Sequence, residues 1–269
     1  MLVPSKFFFD YALGKAYIFT GLRENKMRRE IFKWWSPNLG KHMEMVVYGH
    51  YGFALLMFPT AAADFLEYER FQMIDAIAPF IESGKCKVFS VNSINNESWL
   101  NDWMNPRDKA IRHQQYNYYV AEEVVPFIRH DCKGAAAIIN TGASLGALHA
   151  ANIFFRRPDL FAGVLAMSGS YDLKNYTNGY YDDNCYFNSP VDYLPNLADA
   201  RVLNEMRANK HIHIVTGQGE YESPQASVQL SEVLHAKGIP HELDLWGHDM
   251  PHDWPTWRQM LPHYLETRF

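Results

Sequence analysis

The sequence predicts an α/β fold built on a mostly parallel central sheet, with helices on both faces and an antiparallel hairpin at its N-terminal end. Short, uninterrupted apolar runs recur along the chain, the form a strand takes when it is buried on both faces. Segments with apolar residues three and four positions apart alternate with them, as crossover helices between parallel strands require. No internal repeat, low-complexity run or linker divides the 269 residues. The chain therefore reads as one domain, 1–269, with a long aromatic-rich insertion at about 169–196.

The elements follow in order. Residues 29–35 (REIFKWW) and 41–48 (KHMEMVVY) make the hairpin, joined by the turn Ser36-Pro37-Asn38-Leu39-Gly40. FALLMF, between Gly52 and Pro59, is the first fully apolar strand. The small residues Thr60-Ala61-Ala62-Ala63 follow it, then a helix over about 64–81 with Phe71, Ile74, Ile77, Ala78 and Ile81 on one face. Residues 86–91 (CKVFSV) form the next strand, 92–107 a polar loop with two tryptophans, and about 109–129 a helix. A short apolar run at 135–139 and a helical stretch at 147–155 flank the sequence Gly142-Ala143-Ser144-Leu145-Gly146. After a strand at 163–168 come the insertion, a short helix near 201–209 and a strand at 211–216. The next helix opens at Ser223-Pro224, with serine as N-cap and proline at the first position, and closes at Gly238. A last strand at 241–246 and a last helix from Trp254 to about Thr267 complete the chain.

Composition excludes several classes. The net charge of −5 and the pI near 6.2, without any cluster of lysines and arginines, argue against nucleic-acid binding. Arg28-Arg29 and Arg156-Arg157 are isolated pairs, expected to be solvated. The three cysteines, Cys86, Cys132 and Cys185, are widely spaced and odd in number, so neither a disulfide framework nor a metal knuckle follows. A reducing compartment is the simpler reading. Lys6, Asp10 and Lys15 break the apolar N-terminus into pieces too short for a signal segment or a membrane span. The expectation is a cytoplasmic protein whose first segment packs on its own surface. Aromatic residues make up 15% of the chain, enough to expect a ring-lined pocket or interface.

The chemistry gathers around G-x-S-x-G. Between a buried strand and a helix, that sequence makes a turn so tight that only small residues fit two positions either side of the serine. It lifts the Ser144 hydroxyl above the sheet edge and aims the first helical N–H groups at the same place. A serine nucleophile needs a histidine base, an acid to orient it and backbone donors for an oxyanion. In such sheets these groups sit in loops after strands, which reduces the twelve histidines to His252, with His248 as the alternative. His248 and His252 are four apart with Asp249 and Asp253 beside them, but Gly247 and Pro251 disfavour the helix that would turn both rings to one ion. No metal is expected. For the acid, Glu220 follows the strand at 211–216 and keeps the chain order serine, acid, histidine, while Glu222 and Asp172 remain open. The oxyanion donors would be the N–H groups of Leu145 and, from the loop after FALLMF, Ala61.

With Ser144 and the run His252-Asp253-Trp254-Pro255-Thr256-Trp257, the chain resembles the putative-esterase family of α/β-hydrolases. That group includes esterase D (S-formylglutathione hydrolase), feruloyl and acetylxylan esterases and mycolyltransferases. The resemblance runs from about Arg29 to the C-terminus. It implies the α/β-hydrolase fold, prefers His252 over His248, and likens Gly217-Gln218-Gly219-Glu220 to the family's acid turn. The family often carries aspartate where this chain has Glu220, and some members place a glutamate on the next helix, here Glu232. Relatives also have a glycine-rich donor loop, whereas Pro59-Thr60-Ala61-Ala62-Ala63 has no glycine.

The expected reaction is acyl transfer from an ester to water, without metal or organic cofactor. Trp99, with Tyr171 and Tyr181 of the insertion, is expected to line the substrate site, since rings beside Asp and Asn suit acyl esters of carbohydrates or other small alcohols. An acyltransferase using the same triad and a non-catalytic binding protein on the same scaffold are the alternatives. The partner implied is a small-molecule ester, with no nucleic acid or membrane, and the aromatic N-terminus and insertion offer surfaces for a homo-oligomer.

Overall fold

The computed structural model describes residues 27–134, 136–208 and 210–269. The N-terminal segment expected to pack on the protein surface, and Ala135 at the start of the elbow strand, lie outside the described residues. Among the described residues, eight strands form one sheet in the order β1-β2-β4-β3-β5-β6-β7-β8. They are β1 (Arg29–Ser36), β2 (Lys41–Tyr48), β3 (Phe53–Phe58), β4 (Cys86–Val91), β5 (Ile138–Ala143), β6 (Gly163–Met167), β7 (His211–Thr216) and β8 (Glu242–Leu245). β1 pairs with β2, and β2 with β4, in antiparallel fashion; every other pair is parallel.

Alternate residues of each inner strand feed opposite faces. In β3, Ala54, Leu56 and Phe58 enter one apolar cluster, while Leu55 and Met57 enter the other. The first cluster is closed by α3 (Pro106–Tyr119), α4 (Val125–Asp131), α5 (Leu145–Arg156) and α10 (Pro224–Ala236). The second is closed by α2 (Met73–Glu82) and α11 (Trp254–Thr267). Each fully buried Leu, Ile, Val or Phe adds roughly 1.5–3 kcal/mol of transfer free energy. That is why the pattern of apolar runs specifies the sheet so strongly.

The helical segments depart from expectation in three places. The helix expected over 64–81 is two, α1 (Glu67–Arg70) and α2, divided where Gln72 adopts a left-handed conformation at φ 62°. The helix expected to begin near Lys109 begins at Pro106, capped by Asn105, whose side chain accepts the Asp108 N–H at 2.9 Å. It passes through a π turn at Val120–Val124 before α4. The insertion, expected to be irregular, contains three single-turn helices: α6 (Lys174–Thr177), α7 (Asp183–Tyr186) and α8 (Pro190–Tyr193). α9 (Ala200–Arg207) follows it. Ser223 precedes α10 but makes no side-chain cap, although Pro224 does open the helix.

Chain order reverses direction around β3: β4 lies to one side of it and β5 to the other. The loops leaving the carboxyl ends of β3 and β5 therefore diverge from neighbouring points, the place where an open α/β sheet offers a crevice.

Candidate active site

Ser144 stands between β5 and α5 with φ 56° and ψ −124°, a conformation that L residues adopt only where the surroundings impose it. Two close approaches impose it. A Cβ on Gly142 would lie 2.4 Å from the carbonyl carbon of Gly146, and one on Gly146 would lie 2.3 Å from the Phe58 carbonyl oxygen. Both glycines of the motif are thus required, and the second presses the elbow against the end of β3. The Ser144 N–H donates to the Met167 carbonyl at 2.9 Å, which ties the elbow to the end of β6.

His252 lies in the loop from β8 to α11, just before Asp253, whose carboxylate caps α11 by accepting the Trp254 N–H at 2.7 Å. Its ring meets Trp257 edge-on, with centroids 5.1 Å apart. Its Nδ1 is 3.1 Å from Oε2 of Glu222. A carboxylate only accepts, so Nδ1 carries a proton, and in the neutral ring the lone pair is on Nε2. Ser144 and His252 line one cleft of about 100 Å³, together with Leu145, Leu148, Tyr176, Tyr221, Ser168, Ser170 and Ser223.

The carboxylate on the histidine is Glu222, not Glu220. The loop after β7 is clamped against the loop after β8: Gly219 N–H donates to the Met250 carbonyl, and the His252 N–H donates to the Glu220 carbonyl at 2.9 Å. That pairing uses the backbone of Glu220 and leaves the residue exposed. The chain then turns at Tyr221, in a left-handed conformation at φ 62°, and sends the Glu222 side chain inward, where it is 1% exposed. Ser168 Oγ donates to Glu222 Oε1 at 2.5 Å, Thr216 Oγ1 donates to Oε2 at 3.1 Å, and Gly217 N–H donates to Oε1 at 3.3 Å. Ser168 is itself held by the indole N–H of Trp257 at 3.0 Å. Burial opposes ionisation of Glu222, but the hydrogen bonds from His252, Ser168 and Thr216 outweigh it and hold the carboxyl below its ordinary range.

The other acid candidates lie elsewhere. Asp172 accepts the Lys174 N–H at 3.1 Å, and Glu232 is exposed on α10. His248 is exposed, its Nδ1 3.4 Å from the Gln218 carbonyl. Among the described residues no group of three or more His, Cys, Asp or Glu side chains could hold a metal ion, and no helix is long and apolar enough to cross a membrane.

The loop after β3 lacks glycine yet is fixed in place by buried side chains. Tyr68 hydroxyl donates to the Phe58 carbonyl at 2.7 Å, Glu67 accepts the Thr60 N–H at 2.8 Å, and Ser93 hydroxyl donates to the Ala63 carbonyl at 2.6 Å. Ala61 packs against the apolar cluster that contains Leu145 and Leu148. Among the described residues, the N–H groups of Ala61 and Leu145 have no acceptor.

The expected substrate-lining rings are placed differently. Trp99 is 1% exposed and packs in the cluster with Leu145. Tyr171 is also buried, its ring against Gly169. Tyr181 is exposed but donates its hydroxyl to Asp192 at 2.5 Å on the outside of the insertion. None of the three lines the cleft; Tyr176 and Tyr221 do. Tyr176 stands five residues before Tyr181 in the same insertion, and no local pattern separates the inward ring from the outward one.

The architecture has many solved counterparts. A ferulic acid esterase matches with a TM-score of 0.69 at 19% identity, over 89% of this chain and 96% of its own. An S-formylglutathione hydrolase from Staphylococcus aureus matches with a TM-score of 0.63 at 16% identity, over 90% and 98%. MPT51 from Mycobacterium tuberculosis matches with a TM-score of 0.63 at 15% identity, over 86% and 94%. No curated protein matches the sequence. The family model described as Putative esterase matches residues 61–267, from the loop after β3 to the last helix. The chain, an α/β-hydrolase by fold, belongs to that family, and the reaction class it carries is carboxylic ester hydrolysis.

Proposed function

We propose that the chain hydrolyses esters through Ser144 as nucleophile, His252 as general base and Glu222 as the orienting acid. The observation that carries this reading is the Glu222–His252 pair, whose histidine lines the same cleft as a serine held at a strained elbow. With Nδ1 protonated towards Glu222, Nε2 takes the Ser144 proton as the hydroxyl oxygen attacks the ester carbonyl. The N–H groups of Leu145 and Ala61 receive the oxyanion. The imidazolium then protonates the leaving alcohol, and the same nitrogen activates the water that releases the acid. Glu222 remains ionised throughout, as its network of donors favours.

A cleft of about 100 Å³ is small beside the roughly 300–1,000 Å³ of most small-molecule sites. This supports a short acyl group beside Ser144. Tyr221, 84% exposed, and the polar lining residues Ser170 and Ser223 suit a larger, hydroxylated alcohol such as a sugar. The test is a series of p-nitrophenyl esters from acetate to octanoate, with Ser144→Ala in parallel. Turnover is expected to fall steeply with acyl length and to vanish in the variant. Turnover that survives in Ser144→Ala would sink the mechanism, and a flat or rising chain-length profile would sink the short-acyl assignment. Adding acceptor alcohols to the acetate assay separates hydrolysis from acyl transfer.

A further inference from the structure

The donor loop and the nucleophile helix are joined by a buried polar chain that ester hydrolysis does not itself call for. Asn95 is fully buried in the single turn Asn95–Glu97 after β4. Its side-chain amide donates to two successive carbonyls, Thr60 at 2.9 Å and Ala61 at 2.8 Å. Its Oδ1 is 2.7 Å from Nε2 of His149, which lies on α5, five residues beyond Ser144. Both Asn95 hydrogens are engaged with carbonyls, so Oδ1 must accept and His149 must donate. His149 therefore carries its proton on Nε2.

We propose that Asn95, oriented by His149, is a positioning residue that aims the Ala61 N–H as an oxyanion donor and locks it to the helix that carries Ser144. The argument is geometric and rests on the mechanism proposed above. In a trans peptide the N–H points opposite to the preceding carbonyl. Fixing the Thr60 carbonyl on Asn95 thus fixes the Ala61 N–H on the other side of the same plane. The residue itself is held on its other side by Glu67, which accepts the Thr60 N–H of the preceding Pro59–Thr60 peptide and the Thr60 hydroxyl. Flipping the Thr60–Ala61 plane would strip Asn95 of a partner in a site without water access. This grip does the work that glycine-rich hydrogen-bonded loops do in other scaffolds, and it explains how a run of alanines suffices.

The donor end is equally well defined. The His149 ring stacks on His113, with centroids 5.0 Å apart and planes 25° apart, and lies edge-on to Tyr116 at 5.4 Å. Burial holds His149 down to about 3, so it stays neutral and in one donor role through the working range of pH. Leu145 and His149 belong to one rigid helix. One oxyanion donor, at Leu145, and the anchor of the other, at Ala61, are thereby referenced to the same element.

The test compares Asn95→Ala, His149→Phe and His149→Gln in steady-state hydrolysis of p-nitrophenyl acetate, with kcat, KM, the pH profile and thermal midpoints measured for each. Asn95→Ala is expected to lower kcat about 10²-fold, the scale of losing one oxyanion donor, with KM within about threefold. The pH profile should keep its position, because the Glu222–His252 pair is untouched. His149→Phe keeps the ring volume without the donor and should lose a similar factor. Glutamine places an N–H near the position of Nε2, so His149→Gln should recover at least about tenfold of that loss. Should Asn95→Ala fail to fold, the His149 pair decides. A kcat within threefold of wild type in Asn95→Ala or His149→Phe, or an equal loss in His149→Gln and His149→Phe, overturns the proposal alone. A wild-type protein without Ser144-dependent turnover overturns the mechanism and this proposal together.

Discussion

Glu222 shows how much of an active site is decided by one backbone angle. Only Tyr221 separates it from Glu220, and both glutamates follow β7. The left-handed turn at Tyr221 makes the difference: before it the backbone carbonyl of Glu220 accepts from His252, and after it the Glu222 side chain does. The sequence-based choice of Glu220 used distance along the chain, which cannot register a single positive φ at a tyrosine. Glu222→Gln is expected to lower kcat by on the order of 10³-fold or more, since an amide can donate to Nδ1 and favour the wrong tautomer. Glu220→Ala should retain kcat within about threefold, because only its backbone touches His252. A stopped assay on both variants checks this. Linkage gives a second expectation. The folded carboxyl of Glu222 titrates below its unfolded value, so its contribution to stability is present above the ordinary carboxylate range. It is lost as pH falls through that range to the folded pKa. The difference in unfolding free energy between wild type and Glu222→Gln should therefore shrink on acidification, as urea titrations between neutral pH and pH 3 would measure.

At the scale of elements, the strand–elbow–helix unit from β5 through α5 was the most legible part of the chain. Its requirement is steric, and steric requirements appear as residue types. Gly146 sits where a Cβ would meet backbone oxygens of both Phe58 and Pro59, at 2.3 Å and 2.7 Å. No flexible side chain can yield there. Gly146→Ala is expected to cost about 1–3 kcal/mol in urea unfolding. It should also abolish most turnover, because the loop carrying Ala61 is pushed away from α5. A variant as stable and as active as wild type would show that the elbow does not depend on this contact. Helix boundaries were less legible, and for an opposite reason. The break at Gln72 and the π turn at Val120–Val124 involve residues with no intrinsic preference for either, so tertiary packing selects them. The start of α3, by contrast, was readable: Asn105-Pro106 is a cap followed by proline, a signal the apolar periodicity alone overlooks.

At the scale of the molecule, alternating apolar runs and helical stretches disclosed the parallel sheet, because burial on both faces leaves a direct imprint on composition. The insertion between β6 and β7 leaves none. Its tyrosines suggested a ring-lined substrate site, yet Tyr171 and Tyr193 are buried as packing residues, while Tyr176 reaches the cleft. What docks the insertion is a polar hub assembled from distant positions. Asn188, fully buried, accepts through Oδ1 from Asn117 of α3 at 2.6 Å and from Asn152 and Arg156 of α5 at 2.7 Å and 3.2 Å. Arg156, expected to be solvated, belongs to this hub, and burial lowers its pKa from the ordinary guanidinium value. Four residues from three stretches of chain carry no common pattern, so only the folded arrangement reveals them. Removing the shared acceptor takes a partner from three donors at once, of which Arg156 keeps Gln114 at 2.6 Å. Asn188→Ala is accordingly expected to cost about 2–4 kcal/mol in urea unfolding. Because the insertion carries Tyr176 to the cleft wall, KM for p-nitrophenyl acetate should rise several-fold, with kcat falling less. The charge and the elbow geometry at Ser144 do not pass through Asn188, so a loss confined to kcat would mean that the insertion supports the nucleophile rather than the substrate wall. Unchanged stability would mean that the hub is not what holds the insertion to α3 and α5.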